Sequence, residues 1–258
     1  MKIGIVGAGQ VGATAAYSMM MRRVGSEIML VDRNTDLAVA QARDILDATP
    51  FADPVRVRAG ESADLDGARL VVLAAGTNQR PGESRLDLLS RNAEIFAEIV
   101  PAVLAAAPEP IFLVATNPVD VMTQIVTAIA ERAAVPSERV IGSGTILDSA
   151  RFRTLLAVHL GISPTYIDAR VLGEHGDSEV LHWSGAAAGN LSVAEVARQM
   201  GRQLTDADRS RIDTAVRRAA YAIIQPKYGG LGVFRRVRII HFHMNGRRFG
   251  ALWGSPLG

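Results

Sequence analysis

The chain of 258 residues contains no cysteine, which excludes disulfide bridges and thiolate-ligated metal sites. This absence fits a reducing compartment. No apolar run reaches the roughly 18 residues that a membrane-spanning helix requires. The first predicted strand begins at Lys2, which leaves no room for a secretory signal peptide ahead of it. We therefore expect a cytoplasmic protein without a membrane partner.

Acidic residues are absent after Gln225, whereas six of the 28 Lys and Arg residues lie there. Residues 1–225 therefore carry 22 basic and 26 acidic side chains, which is a net charge of −4. Because the basic excess belongs to the tail, we expect no nucleic-acid partner. Binding of DNA or RNA through the tail is a minor alternative.

Strand-like and helix-like segments alternate through the first 144 residues. Apolar runs typical of buried strands occur at residues 2–7, 27–31, 55–58, 70–75, 111–116 and near 140, with helical stretches between them, notably at 10–24, 87–107 and 121–134. This alternation predicts an α/β fold with a Rossmann-type doubly wound parallel sheet, because right-handed crossovers place helices on both faces of the sheet.

After Gly144 the pattern changes. The sequence there predicts helices at residues 146–160, 193–203 and 206–224, with extended segments at 166–172 and 179–184. We therefore predict a dinucleotide-binding domain at residues 1–144 and an incomplete α+β substrate domain at residues 145–258. The divergent basic tail begins at about residue 226.

The first strand is followed by Gly7-Ala8-Gly9-Gln10-Val11-Gly12. In this pattern the first glycine allows a tight turn, the second lets the backbone approach a pyrophosphate, and the third lets the helix pack close to the strand. Asp32 ends the second strand, where a carboxylate can bind ribose hydroxyls and would repel a 2′-phosphate. The combination predicts binding of NAD rather than NADP, although a bare glycine pattern is often a coincidence.

Asp148 and Arg151 lie three residues apart on one predicted helix and so share a face, while His175 lies in a Gly-Glu-His-Gly-Asp loop. An intrahelical salt bridge and a structural histidine are the ordinary interpretation. If His175 folds over that face, Asp148 can instead fix the imidazole tautomer while Arg151 binds a carboxylate through two parallel hydrogen bonds. The pattern would then indicate a proton-transfer pair beside an anion-binding site.

Residues 77–85 contain Gly, Pro, Asn and Ser and follow a predicted strand, at the edge where open α/β sheets bind ligands. They form either a solvated surface loop or a mobile lid that carries Arg85. Asn117 ends the next strand and lines the same edge, or it serves only as a turn residue.

In this order, the motifs resemble the lactate and malate dehydrogenase family over roughly residues 1–225. The resemblance rests on the glycine loop with Asp32 and on the motifs Asn-Gln-Arg-Pro-Gly-Glu-Ser-Arg at 78–85, Thr-Asn-Pro-Val-Asp at 116–120, Leu-Asp-Ser-Ala-Arg-Phe-Arg at 147–153 and Gly-Glu-His-Gly-Asp-Ser at 173–178. It implies NAD as cofactor, a small 2-oxo or 2-hydroxy acid as substrate, no metal, and a homo-oligomer, since similar enzymes are tetramers or dimers.

By this resemblance His175 is the proton donor and acceptor, Asp148 is its partner and Arg151 binds the substrate carboxylate. Arg85 polarises the reacting carbonyl, and Asn117 contacts substrate and cofactor. The expected substrate-binding residues are Gln79, Arg85, Asn117, Asp120 and Arg151, and the expected cofactor-binding residues are Gly7, Gly9, Val11, Gly12, Asp32, Gly76, Thr77, Ala115, Thr116 and Asn117.

Gln79 decides between substrates. Similar enzymes that act on malate have an arginine at this point of the lid, facing the second carboxylate of oxaloacetate, whereas this chain has a neutral residue followed by Arg80. Enclosing a second carboxylate without a cation costs several kcal/mol. We therefore predict an NAD-dependent oxidoreductase that interconverts L-lactate and pyruvate. Malate is the alternative, because a one-residue shift would turn Arg80 inward.

The tail departs from the family. Where relatives have a Lys-Gly-x-Thr stretch, this chain reads Pro-Lys-Tyr-Gly-Gly at residues 226–230, and no Ser or Thr occurs between Thr214 and Ser255. The difference indicates a frameshifted or truncated reading, and a substrate domain short of core and of one substrate contact. A catalytically impaired NAD-binding protein is therefore a further alternative.

Overall fold

The computed structural model describes residues 1–52, 54–77 and 85–219, except for the side chains of Arg85 and Leu86. The predicted basic tail and the end of the last predicted helix lie outside the described residues. Among the described residues, no helix is both long enough and apolar enough to cross a membrane.

The first part of the chain forms one six-stranded parallel sheet with helices between the strands. Its elements are β1 (Lys2–Val6), α1 (Gln10–Met21), β2 (Glu27–Val31), α2 (Thr35–Leu46), β3 (Arg56–Gly60), β4 (Ala68–Leu73), α3 (Arg85–Ala106), β5 (Ile111–Val114), α4 (Val119–Glu131) and β6 (Val140–Gly142). The strand order is β3-β2-β1-β4-β5-β6, and every neighbouring pair is parallel. The predicted doubly wound fold is confirmed.

The sheet is buried on both faces. Consecutive side chains along a strand point to opposite sides, and along β2 all of them are buried. Ile28 and Ile3 pack on one face with residues of α1 and α2. Met29, the next residue of β2, packs on the other face with Phe112 and with residues of α3 and α4. Near-continuous apolar strands therefore serve two separate cores.

The second part of the chain is smaller and mixed. Its elements are α5 (Ile146–Leu160), β7 (Ile167–Asp168), β8 (Val171–Leu172), β9 (Val180–Leu181), β10 (Ala187–Ala188), β11 (Leu191–Ser192), α6 (Val193–Gln199) and α7 (Asp206–Arg217). Strands β8 and β9 form an antiparallel hairpin, and β11, β10 and β7 form a second small antiparallel sheet.

Helix α5 has the predicted bounds, but several neighbouring elements are shorter than predicted. The extended segment expected at 179–184 is a two-residue strand followed by a 3₁₀ turn at Trp183–Gly185. Helix α6 ends at Gln199 rather than at residue 203, because Gly201 has a φ of +66° and reverses the chain there. Strands β10 and β11, of two residues each, were not predicted.

A third apolar core, in the second part of the chain, holds α5 in place. Phe152 and Leu156 of α5 are buried with Ile212 of α7. The ring of Trp183 meets Phe152 edge to face at 4.7 Å between centroids, and the guanidinium of Arg209 lies 4.9 Å above the Trp183 ring. The helix that carries Asp148 and Arg151 is therefore anchored along one face.

The core of the large sheet offers a direct stability test. Phe96 is completely buried, whereas Phe51 is 84% exposed. Phe96→Ala is expected to lower the free energy of unfolding by about 3 to 5 kcal/mol, because it removes buried contacts and leaves a cavity. Urea denaturation followed by circular dichroism measures this loss. Phe51→Ala is the control and should change stability by less than about 0.5 kcal/mol; equal losses in both variants would contradict the described core.

Candidate active site

The loop after β1 leaves room for a ligand at its centre. Gly7 has a φ of +103°, and a Cβ there would lie 2.4 Å from the backbone nitrogen of Ala75. A Cβ on Gly12 would lie 1.8 Å from the carbonyl oxygen of Gly7, so both positions require glycine. Among the described residues, nothing lies within 4 Å of a Cβ built on Gly9. A ligand can therefore approach the backbone closely at Gly9.

Helix α1 begins directly after this loop. Gly9 is its N-cap, and in the described part of the chain no side chain caps the first turn, which also contains no acidic residue. The first N–H groups and the positive end of the helix dipole therefore favour an anion, and a diphosphate fits this position. Val11, in the same turn, is exposed.

Asp32 stands at the end of β2 beside the same loop. Its Oδ2 accepts the N–H of Ala8 at 2.7 Å, and its Oδ1 accepts the N–H of Asn34 at 2.9 Å. A carboxylate oxygen has two acceptor positions, so both oxygens keep capacity for ribose hydroxyls. The residues present at β1 and β2 thus fit an adenine dinucleotide such as NAD.

The loops that follow β4 and β5 are tied together by a buried amide. Oδ1 of Asn92 accepts the N–H of Thr77 at 3.0 Å, and its Nδ2 donates to the carbonyl oxygen of Asn117 at 3.3 Å. The hydroxyl of Thr116 donates to the carbonyl oxygen of Ala75 at 2.6 Å. These bonds bring five expected cofactor-contact positions to one edge of the sheet: Gly76, Thr77, Ala115, Thr116 and Asn117.

Asn92 was not predicted from the sequence. The available sign in the sequence was the position of this amide between Leu89 and Phe96 on the apolar stripe of α3. Both of these apolar residues pack in the core. A buried polar side chain at such a position needs hydrogen-bond partners, and here it finds them in the two loops.

Asp148 is the centre of the second group of side chains. It lies in the first turn of α5 with its side chain only 3% exposed. Its Oδ2 lies 2.5 Å from Nδ1 of His175, and its Oδ1 accepts a hydrogen bond from Nη1 of Arg151 at 2.7 Å. The intrahelical ion pair and the histidine contact therefore occur together on one carboxylate.

The charges of this group stabilise one another. Burial by itself would raise the pKa of the Asp148 carboxyl, but the hydrogen bonds and positive charges of His175 and Arg151 outweigh burial and hold that pKa below its usual value. The hydrogen bond to Asp148 raises the pKa of His175 against the opposing effect of burial. An imidazolium beside a carboxylate is therefore favoured, as a proton donor requires.

The loop that carries His175 joins β8 to β9 and is held by bonds from three helices. Oδ2 of Asp120, in the first turn of α4, accepts the N–H of His175 at 2.9 Å. Nη1 of Arg217 on α7 donates to the carbonyl oxygen of Asp177 at 2.9 Å. The hydroxyl of Ser149 on α5 accepts the N–H of Val171 in β8 at 2.9 Å.

The bond to Asp120 also locates the histidine relative to the sheet. Helix α4 begins five residues after β5 ends, so Asp120 and His175 lie near the carboxyl edge of the parallel strands. The glycine loop follows β1 at that same edge, where open α/β sheets bind ligands.

Two expected residues cannot be placed. Gln79 lies outside the described residues, and Arg85 begins α3 but its side chain is not described. Their roles stay predictions from the sequence.

Glu179 is a second acid at the site, and it was not predicted from the sequence. The residue is 2% exposed, and burial, with the neighbouring Asp148 carboxylate, raises the pKa of its carboxyl to about 7. Its position four residues after His175 was the available signal, but an acid in a loop is usually solvated.

Comparison with known protein families gives matches along most of the chain. A model of the lactate/malate dehydrogenase NAD-binding domain matches residues 1–142, and a model of the α/β C-terminal domain of lactate/malate dehydrogenase matches residues 145–232.

Individual relatives are similar over nearly the same span. The chain is 56% identical over 245 residues to an L-lactate dehydrogenase of Thermus aquaticus, covering 93% of this chain and 78% of that protein. It is 54% identical, with the same coverage, to an L-lactate dehydrogenase of Allorhizobium ampelinum. Among solved structures, a lactate dehydrogenase from a Medee basin deep-sea metagenome library superposes with a TM-score of 0.82 at 38% identity, covering 88% of this chain and 71% of that one.

The contact between Asp148 and His175 can be tested without assuming a reaction. Asp148→Asn is expected to lower the pKa of His175 by about one to three units, because it removes the hydrogen-bonded negative charge that opposes the effect of burial. Titration of the imidazole by NMR measures this change. Asp168→Asn, which removes a surface carboxylate paired with Arg170, is the matched control and should leave the pKa of His175 as it was. An unchanged His175 pKa in Asp148→Asn would contradict the described pair.

Proposed function

The chain belongs to the lactate/malate dehydrogenase family, and we propose that it interconverts L-lactate and pyruvate with NAD through the residues gathered on Asp148. The observation that carries the proposal is that one buried carboxylate contacts both the imidazole of His175 and the guanidinium of Arg151. A proton donor and an anion-binding group thus stand side by side, as reduction of a 2-oxo acid requires.

His175 moves the proton. Its Nδ1 is directed to Asp148, so Nε2 is the nitrogen that exchanges a proton with the substrate oxygen. In pyruvate reduction the imidazolium donates this proton to the carbonyl oxygen, and in lactate oxidation the neutral ring accepts the hydroxyl proton. The ring is 22% exposed, which lets a small molecule reach it. NAD, when bound, supplies the chemistry of hydride donation and acceptance.

Arg151 binds the carboxylate of the substrate. Its ion pair with Asp148 uses Nη1, and a guanidinium carries five N–H donors, so donors remain for two parallel bonds to a ligand carboxylate. Because Asp148 orients both Arg151 and His175, the carboxylate and the reacting oxygen of a short 2-oxo acid can be bound at the same time.

The first part of the chain, residues 1–144, holds the cofactor. The uncapped start of α1 and the open space at Gly9 suit the diphosphate, and Asp32 suits the adenosine ribose. Asp32 would repel a 2′-phosphate, which favours NAD over NADP. The loops after β4 and β5 line the path from the ribose to His175.

Gln79 and Arg85 complete the proposal from the sequence. A neutral Gln79 leaves a second substrate carboxylate without a cation, which favours pyruvate over oxaloacetate. Arg85 polarises the reacting carbonyl and stabilises the developing alkoxide. A homo-oligomer, such as a tetramer, and a cytoplasmic location are also part of the proposal.

Substrate choice is tested by comparing two 2-oxo acids at equal concentration. With NADH as reductant, kcat/KM is expected to be at least about tenfold higher for pyruvate than for oxaloacetate, since an unpaired enclosed carboxylate costs several kcal/mol. The absorbance of NADH at 340 nm measures both rates. Faster turnover of oxaloacetate would support malate as the substrate, and NADH binding by fluorescence without turnover of either acid would contradict the proposed activity.

The role of Arg151 is tested by Arg151→Lys. We expect kcat/KM for pyruvate to fall by about ten- to a hundredfold, because a point charge replaces a bidentate donor. Steady-state NADH oxidation measures the loss. Arg198→Lys is the matched control, since Arg198 is an exposed partner of Glu195 on α6. Equal turnover in Arg151→Lys and in the parent would remove Arg151 from the proposal.

A further inference from the structure

Glu179 places an additional carboxyl group against the proton-transfer pair. One oxygen of Glu179, one oxygen of Asp148 and a ring nitrogen of His175 all lie within 4.8 Å of one another. The residue is almost completely buried, and in the described part of the chain its Oε1 has no hydrogen-bond partner. An ionised carboxylate in this setting would be both desolvated and next to a second negative charge.

Arg217, a cation that acts on Glu179 through space, is engaged by other groups. The guanidinium of Arg217 is bound to Asp213 on its own helix and to the carbonyl oxygen of Asp177. Within the described ranges, the charged groups around this site are Asp148 and Arg151 on α5, His175 and Asp177 in the loop, Asp213 and Arg217 on α7, and Asp120 on α4. Arg217 and His175 lower the pKa of Glu179, but burial and Asp148 prevail and leave it at about 7.

We propose that Glu179 is a positioning residue for the proton-transfer pair. Gain or loss of the Glu179 proton controls how strongly His175 retains its own proton. When protonated, the Glu179 carboxyl has an O–H to direct at the Asp148 carboxylate and adds no charge. When ionised, it adds a second negative charge near the imidazole. This inference rests on the proposed function, since it assigns a regulator to the same histidine.

The direction of the effect follows from the charges. The ionised form of Glu179 raises the pKa of His175, so loss of the Glu179 proton near pH 7 keeps the imidazole protonated to a higher pH. Pyruvate reduction needs the imidazolium and is therefore sustained on the alkaline side. Lactate oxidation needs the neutral imidazole, so its rate rises only at a correspondingly higher pH.

The wild-type protein permits a first test that requires no turnover. With 13C-labelled glutamate, one side-chain carboxyl resonance is expected to titrate near pH 7, and that resonance should be missing from Glu179→Gln. A spectrum in which every glutamate titrates below about pH 5 would overturn the proposal, because Glu179 would then be ionised throughout the working range. This outcome would leave the proposed enzymatic activity untouched.

The second test compares pH profiles of kcat/KM for pyruvate. Glu179→Gln imitates the protonated acid, so its kcat/KM should match that of the parent near pH 6. The alkaline limb of its profile should lie about one pH unit lower. Above that limb, kcat/KM of the variant should be up to about tenfold below that of the parent. Glu195→Gln, which removes the same charge from the surface of α6, is the matched control and should keep the parental profile. A parallel loss at every pH would indicate a purely structural role and overturn the proposal.

A third variant guards against a folding defect. Glu179→Met keeps the length of the side chain without a charge, and should move the alkaline limb in the same direction. If neither Glu179→Gln nor Glu179→Met folds, the carboxyl titration of the parent protein tests the proposal. If the parent does not reduce pyruvate at any pH, the proposed function fails, and the pKa of His175 measured by NMR in the parent and in Glu179→Gln still tests the coupling.

Discussion

The site depends on the two contacts of one buried carboxylate, which meets an imidazole on one oxygen and a guanidinium on the other. Asp148 lies in an environment that would favour its neutral form, yet His175 and Arg151 keep it ionised. The same contacts raise the pKa of the histidine and orient the arginine. Removing either cation would leave one oxygen of the buried carboxylate without its hydrogen-bond donor, which is costly. Under the proposed function, proton transfer and carboxylate binding both depend on this one electrostatic arrangement.

The remaining structure holds that arrangement at the cofactor edge of the sheet. The apolar core around Phe152 anchors α5, and the hairpin loop is bound by Asp120 from α4 and by Arg217 from α7. Asp120 follows β5, so the loop of the second lobe is joined to the carboxyl edge of the parallel sheet. The glycine loop lies at that same edge. Residues from the first and the second part of the chain therefore lie at one edge of the sheet.

Much of the large lobe could be predicted, because its signals are local and repeated. Strand β2 of the large sheet has the predicted bounds, and so does helix α5 in the second part of the chain, since both are apolar or amphipathic segments long enough to show their period. Strands β10 and β11 contain two residues each, which is too short for any period. Asn92 and Glu179 escaped prediction for another reason: a polar residue acquires its role from what surrounds it, and the loops that Asn92 binds and the Asp148 carboxylate beside Glu179 are distant in sequence.

The sequence by itself determined the order of strands and helices, the glycine positions that only glycine can occupy, and the shared face of Asp148 and Arg151, because each follows from backbone geometry within a few residues. The tertiary structure decided that the His175 ring meets the carboxylate of Asp148, 27 residues away, and that the backbone N–H of His175 donates a hydrogen bond to Asp120, 55 residues away. It also decided that Glu179 is buried beside them. Such contacts depend on how the hairpin packs against α4, α5 and α7, and the pKa values follow from that packing because burial and charge act through space, not along the chain.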